Sequence, residues 1–206
     1  MKKPPLSRLL PLLGLLIIAA AFLLKKHLSG PSFPSGLPTT GGSPMTVQIA
    51  APPFLQWDTR WSDEKLGQSE EKIGATGCTL CAVSMAINSQ GFKNDPASLN
   101  KLLIKNGGYT TSGLLIWGSL PAVTKGQFGV QVADHPTYEV IDRQLAQGNP
   151  VIAKVLFGDA IWHWVLICGK QDKQYLINDP LGSGPSHQDM ANYPKGIFAV
   201  RFLQRL

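Results

Sequence analysis

Gly74-Ala75-Thr76-Gly77-Cys78-Thr79-Leu80-Cys81-Ala82-Val83-Ser84-Met85 puts a cysteine where a glycine-containing loop turns into an apolar, helix-forming run. The first N–H groups of a helix have no partners within it and carry partial positive charge. A sulfur placed among them is held as thiolate below the free cysteine pKa of about 8.5. The thiolate is the nucleophilic form. Downstream, Ala82, Val83, Ala86 and Ile87 recur at spacings of three and four, which gives a buried face, and Gly91 ends the run. Cys81 falls one turn deeper than Cys78.

Further helices are expected after this one. Asn94-Asp95-Pro96 pairs a capping Asx residue with a first-turn proline and leads through Leu99, Leu102, Leu103 and Ile104 to Gly107-Gly108. A third helix is expected from Ser112 through Leu115 and Ile116 to Leu120, and a fourth from Thr137 to Gln147. Val47 to Ala50 reads as a short strand. Beyond residue 149 the period changes: Pro150 to Phe157, Trp162 to Gly169, Gln174 to Asn178 and Gly196 to Phe202 are short, β-branched or aromatic runs divided by turn residues. Helices first and strands afterwards imply an α+β domain, its antiparallel sheet packed against the cysteine-bearing helix.

The chain of 206 residues, 44% hydrophobic, suits one domain with a sizeable core. Its formal charge of +6 does not mark a nucleic-acid surface, because Lys2, Lys3, Arg8, Lys25 and Lys26 all flank one apolar run and the remainder is nearly neutral. That run, Leu9 to Leu24, carries no charge. It falls slightly short of the roughly 20 residues that span a bilayer, a gap that lysines reaching to the headgroups close. Residues 1–27 are therefore expected to anchor the chain in a membrane, with a cleaved signal peptide as the competing reading. The flanking charges mildly favour a domain outside the cytoplasm. Residues 28–46, rich in Pro, Gly, Ser and Thr, read as a tether, with Gly41-Gly42 as linker glycines, and residues 47–206 as the domain. Three cysteines are too few for a disulfide framework and point to chemistry.

A nucleophilic thiolate needs a base, and the base needs an orienting group. His163 opens the strand Trp162-His163-Trp164-Val165-Leu166-Ile167, and Asp179 closes the next one in Tyr-Leu-Ile-Asn-Asp-Pro. If the two strands are antiparallel neighbours across Gln171-Asp172-Lys173, the carboxylate meets one imidazole nitrogen while the other faces sulfur. Gln56 supplies an amide that, with the Cys78 backbone N–H, would make an oxyanion hole.

From Val47 to the C-terminus these pieces resemble the papain-like cysteine peptidases of the bacteriocin-processing, double-glycine leader type, the thirty-ninth cysteine-peptidase family and its wider relatives. The matching residues are Gln56 in Leu-Gln-Trp, Gly77-Cys78 with Met85, the His163 strand ending at Gly169, and Asn178-Asp179-Pro180. The resemblance implies a papain-like fold with Cys78 as nucleophile, His163 as base and acid, Asp179 as orienting group and Gln56 as oxyanion donor. It implies a peptide or protein substrate, a peptidoglycan peptide included, and no metal or organic cofactor. Leader peptidases are typically fused to a membrane transporter, and nothing in this chain resembles one.

Other readings stand beside it. Cys78 and Cys81 have the spacing of a redox dithiol, although the residues before them lack the expected apolar strand. The same groove without catalysis would be a peptide- or wall-binding module. His135 and His187 lack the spacing of zinc ligands and read as loop residues. Cys81 and Cys168 read as small buried apolar residues, and the oligomeric state leaves no signal.

Overall fold

The helix that carries Cys78 is buried all round rather than along one face. Between Cys78 and Ser89 there is no charged residue, and every position from Leu80 to Ile87 is inaccessible to solvent, the pattern of a helix enclosed within a core. Its one buried hydroxyl, on Ser84, donates to Asn94 Oδ1. The computed structural model of the protein describes residues 35–158, 160–183 and 188–206. The anchor segment expected at residues 1–27, the first part of the tether and His187 lie outside the described residues. Among the described residues, no helix is long and apolar enough to cross a membrane.

The elements run β1 (Thr40–Gln48), α1 (Ile73–Thr76), α2 (Cys78–Ser89), α3 (Pro96–Lys105), α4 (Leu120–Val123), β2 (Phe128–Ala133), α5 (Tyr138–Ala146), β3 (Val151–Phe157), β4 (Ile161–Asn178), β5 (Gln188–Asp189) and β6 (Ala199–Arg205). They form an α+β domain. Its antiparallel sheet has the order β1-β4-β3-β6-β2, with β5 added to β4, and α2 packs against β4 and β3. α3 starts where its cap requires. Asp95 accepts from the Ser98 N–H at 2.7 Å while the Asp95 N–H donates to Ser98 Oγ at 2.9 Å, a reciprocal box worth about 1 kcal/mol.

β4 reads as one strand but folds back on itself. Residues 16 apart in a single extended strand would stand roughly 50 Å from each other, yet His163 and Asp179 touch. The reversal falls at Asp172, which takes a positive φ of 51°, and Lys170 on one arm lies over the ring of Tyr175 on the other. The turn expected at Gln171-Asp172-Lys173 is therefore present.

Three expectations are corrected. Residues 40–46, read as tether, are the first part of β1, paired with β4 through a register shift between Thr40 and Met45. Gly41-Gly42 lie in that irregularity and are not linker glycines: Gly42 has φ +72°, and a Cβ there would collide with Asp142 Oδ2. Asp142 is the reason this edge is tied down. Its Oδ1 accepts from Lys170 Nζ at 2.6 Å and from the Tyr175 hydroxyl at 2.7 Å, and its Oδ2 from the Ser43 N–H at 2.8 Å. Lys170 Nζ also donates to the Ser43 carbonyl at 2.9 Å. This buried cluster joins α5, β1 and β4.

The helix expected from Ser112 to Leu120 does not form over Ser112–Ile116. Gly113 takes φ +79° against Ser69, and Tyr109 bridges Leu115 instead. Helical structure begins only with a 3-10 turn at Trp117–Ser119. The last strand begins at Ala199, later than Gly196, and extends to Arg205. Its partner β2, Phe128–Ala133, was not anticipated.

Candidate active site

Cys78 opens α2, and Gly77 before it provides no side-chain cap. Glycine is required there because a Cβ would run into the Ile73 carbonyl oxygen. Cys78 is nearly buried, 9% exposed. Burial pushes its pKa up. The hydrogen bond and charge of His163, with the Trp164 N–H and the Thr79 side chain, outweigh burial and hold the thiol below its ordinary value. Cys81 and Cys168 are fully buried and free of disulfides, and burial raises both, Cys168 to about 12. Of the three sulfurs, only Cys78 is tuned toward thiolate.

His163 Nε2 meets Asp179 Oδ1 at 2.7 Å, and both side chains are almost inaccessible. That leaves Nδ1 as the nitrogen for Cys78. Burial by itself would lower the imidazole pKa, but the Asp179 hydrogen bond and the facing sulfur raise it to about 9. Burial would raise Asp179, and its bonds to His163, Tyr193 and the Leu181 N–H instead bring it below the usual carboxylate value. The ring is packed between Phe157, 6.2 Å away edge-on, and Tyr193, 5.9 Å away. Such a site supplies a thiolate beside an imidazolium with its orientation fixed.

Gln56 lies in a loop but is buried. It is 2% exposed, tied down by a bond from its backbone N–H to the Pro180 carbonyl at 2.9 Å. Its Nε2 donates to the carbonyls of Gly74 at 3.0 Å and Ala75 at 3.2 Å, in the loop that presents Cys78. Its amide protons are thus directed at that loop in the free protein.

Gln56, Cys78 and His163 line one cleft of about 540 Å³. Leu114, Leu115, Trp117, Ile161, Trp162 and Leu181 form much of its wall. Leu114 is 67% exposed and serves the cleft, whereas Leu115 and Trp117 line the cleft and also pack against the core.

A protein-family model for the Peptidase_C39 like family matches residues 48–205. The chain belongs to that family. Membership in this C39-like peptidase family implies a peptide or protein substrate. Among solved structures, a Bacillus anthracis protein described as C39-like aligns at 16% identity and a TM-score of 0.49, over 78% of this chain and 98% of that one. The peptidase domain of Streptococcus ComA, a bi-functional ABC transporter of a quorum-sensing pathway, aligns at 20% identity and 0.47, over 63% and 91%. No curated protein matches the chain significantly.

Two side chains at this C39-like site escaped the sequence reading. The Tyr193 hydroxyl donates to Asp179 Oδ2 at 2.5 Å, and Lys154 stands in the cleft wall. Neither sits in a motif, and only the packed sheet brings them here.

Proposed function

We propose that the protein is a membrane-tethered thiol hydrolase that cleaves an amide bond of a peptide or protein with Cys78, His163 and Asp179. The observation that carries this reading is the His163–Asp179 pair at 2.7 Å, its imidazole in one cleft with Cys78, a cysteine that opens a helix and whose thiol His163 holds below its ordinary pKa. The Cys78 thiolate attacks the carbonyl carbon and forms a C–S bond. The negative oxygen is held by the Cys78 N–H and by Gln56, which gives up its longer bond to Ala75 as the substrate carbonyl enters. Imidazolium His163 donates its Nδ1 proton to the leaving amine, which departs and leaves a thioester. His163 then takes a proton from water, the hydroxide attacks the thioester, and the acid leaves as the thiolate returns.

The anchor at residues 1–27 would hold this domain at a membrane surface, outside the cytoplasm. A peptidoglycan peptide is one substrate within reach there.

Incubating the full-length protein and its Cys78→Ala variant with a complex peptide library, and sequencing products by mass spectrometry, tests the activity. The reading holds if the parent cuts and the variant does not. Equal cutting by the variant, or an uncut library with the parent, overturns it.

A further inference from the structure

The cleft over Cys78 has an asymmetric charge. Its lining includes Lys154 and His163, and among the described residues it includes no carboxylate. Lys154 pairs across β3 and β4 with Trp164, the residue whose backbone N–H reaches the Cys78 sulfur. Successive side chains of a strand alternate faces, so Lys154 and Trp164 approach the cleft from the face opposite His163, which pairs with Val155. Lys154, Trp164 and His163 all line it with Cys78. Its ammonium lies 4.1 Å from the centre of the Trp162 ring.

Elsewhere in the fold, Lys65, Lys72 and Lys170 each face a carboxylate, while Lys93, Lys105, Lys125 and Lys173, unpaired among the described residues, are solvent-exposed. Among the described residues, Lys154 has no such ion pair, and the tryptophan face only partly offsets its charge. The surrounding wall is apolar and unusually open to solvent: Ile161 is 62% and Trp162 44% exposed. A cation on a low-dielectric wall with no anion of its own attracts one from the ligand.

We infer that Lys154 determines specificity by receiving a substrate carboxylate in the cleft that holds the scissile bond, while a bulky apolar side chain of the same substrate rests on Leu114, Ile161, Trp162 and Leu181. This rests on the hydrolase reading given above. The carboxylate is the side chain of Asp or Glu or a free chain terminus. Against the cleft's apolar wall, its charge exchanges water for the lysine ammonium, and an uncharged amide gains much less.

The test has two arms, both on the full-length protein. In the first, Cys78 is alkylated with iodoacetate or iodoacetamide. The thiolate displaces iodide in each case, so the rate ratio reads the local charge independently of thiolate population. Cys81 and Cys168 are shielded by burial. Lys154→Met is expected to lower the iodoacetate-to-iodoacetamide ratio roughly three- to tenfold, and Lys154→Arg to retain it. In the second arm, peptides matched as Glu against Gln, and as free acid against C-terminal amide, are compared as substrates. One acidic member of the pairs is preferred, the difference lies in KM, and Lys154→Met removes it.

An unchanged alkylation ratio, or equal cleavage of both pairs, overturns the inference and leaves the hydrolase reading standing. A Cys78 that reacts with neither reagent overturns both.

Discussion

Tyr193 donates its hydroxyl to Oδ2 of Asp179 at 2.5 Å, so the carboxylate that orients His163 through Oδ1 is itself held from its other oxygen. Tyr193→Phe leaves that buried oxygen without this donor, which costs about 1–3 kcal/mol of stability. It also loosens the imidazole. Urea unfolding should show the lost stability, and kcat should fall severalfold with KM little changed. A fall in KM-limited binding with kcat intact would contradict this positioning role.

The pH profile of kcat/KM should be bell-shaped, whereas Cys78 alkylation, which needs only the thiolate, should rise through the acid limb without an alkaline fall. The acid limb reports formation of the thiolate, below the ordinary cysteine value because His163 lowers it, and the alkaline limb reports loss of the imidazolium near pH 9. Between them lies the ion pair. Asp179→Ala removes the hydrogen bond that raises His163, so the alkaline limb should move down toward about 6.5 and kcat/KM should fall on the order of 100-fold. Asp179 itself is depressed, so its stabilising contribution is present above about pH 4 and is lost as pH falls through its folded value. Stability measured against pH should therefore decline less at the acid end in the Asp179→Asn variant.

Gln56→Ala should lower kcat about 100-fold or more, the usual loss on removing an oxyanion donor. It also leaves the Gly74 and Ala75 carbonyls without their side-chain donor. Burst and steady-state kinetics on one amide and one activated ester separate the two effects. An ester hydrolysed at the parental rate would assign Gln56 to positioning the Cys78 loop alone.

Lys170→Met should destabilise the domain by about 3–5 kcal/mol, because it leaves Asp142 as a buried charge without its cation. Replacing both partners with apolar residues of similar volume should cost much less. Thermal unfolding of the single and double variants checks this, and additive losses would contradict coupling between the two.

Much of the architecture was legible because its signals are local. A glycine-containing turn, a charge-free run and Asp95-Pro96 with Ser98 place α2 and α3, and alternating apolar runs around Asp172 give the hairpin that joins His163 to Asp179. Local pattern failed where apolar residues serve something other than a core. Ile116 has helical spacing in the sequence, yet it is exposed, three residues after Gly113, whose left-handed backbone stops a helix. Gly41-Gly42 were read as flexible, although their lack of side chains is what lets β1 close over Asp142.

The amino-acid sequence by itself determined the α+β framework, the helix that opens at Cys78 and the turn that brings His163 to Asp179, since caps, periodicity and turns act within a few residues. Only the tertiary structure decided that Tyr193 secures Asp179, that Gln56 is buried against the Gly74–Ala75 carbonyls, and that Lys154 enters the cleft. Those contacts join residues distant along the chain, and their partners are chosen by how the sheet and the central helix pack, which no short stretch encodes.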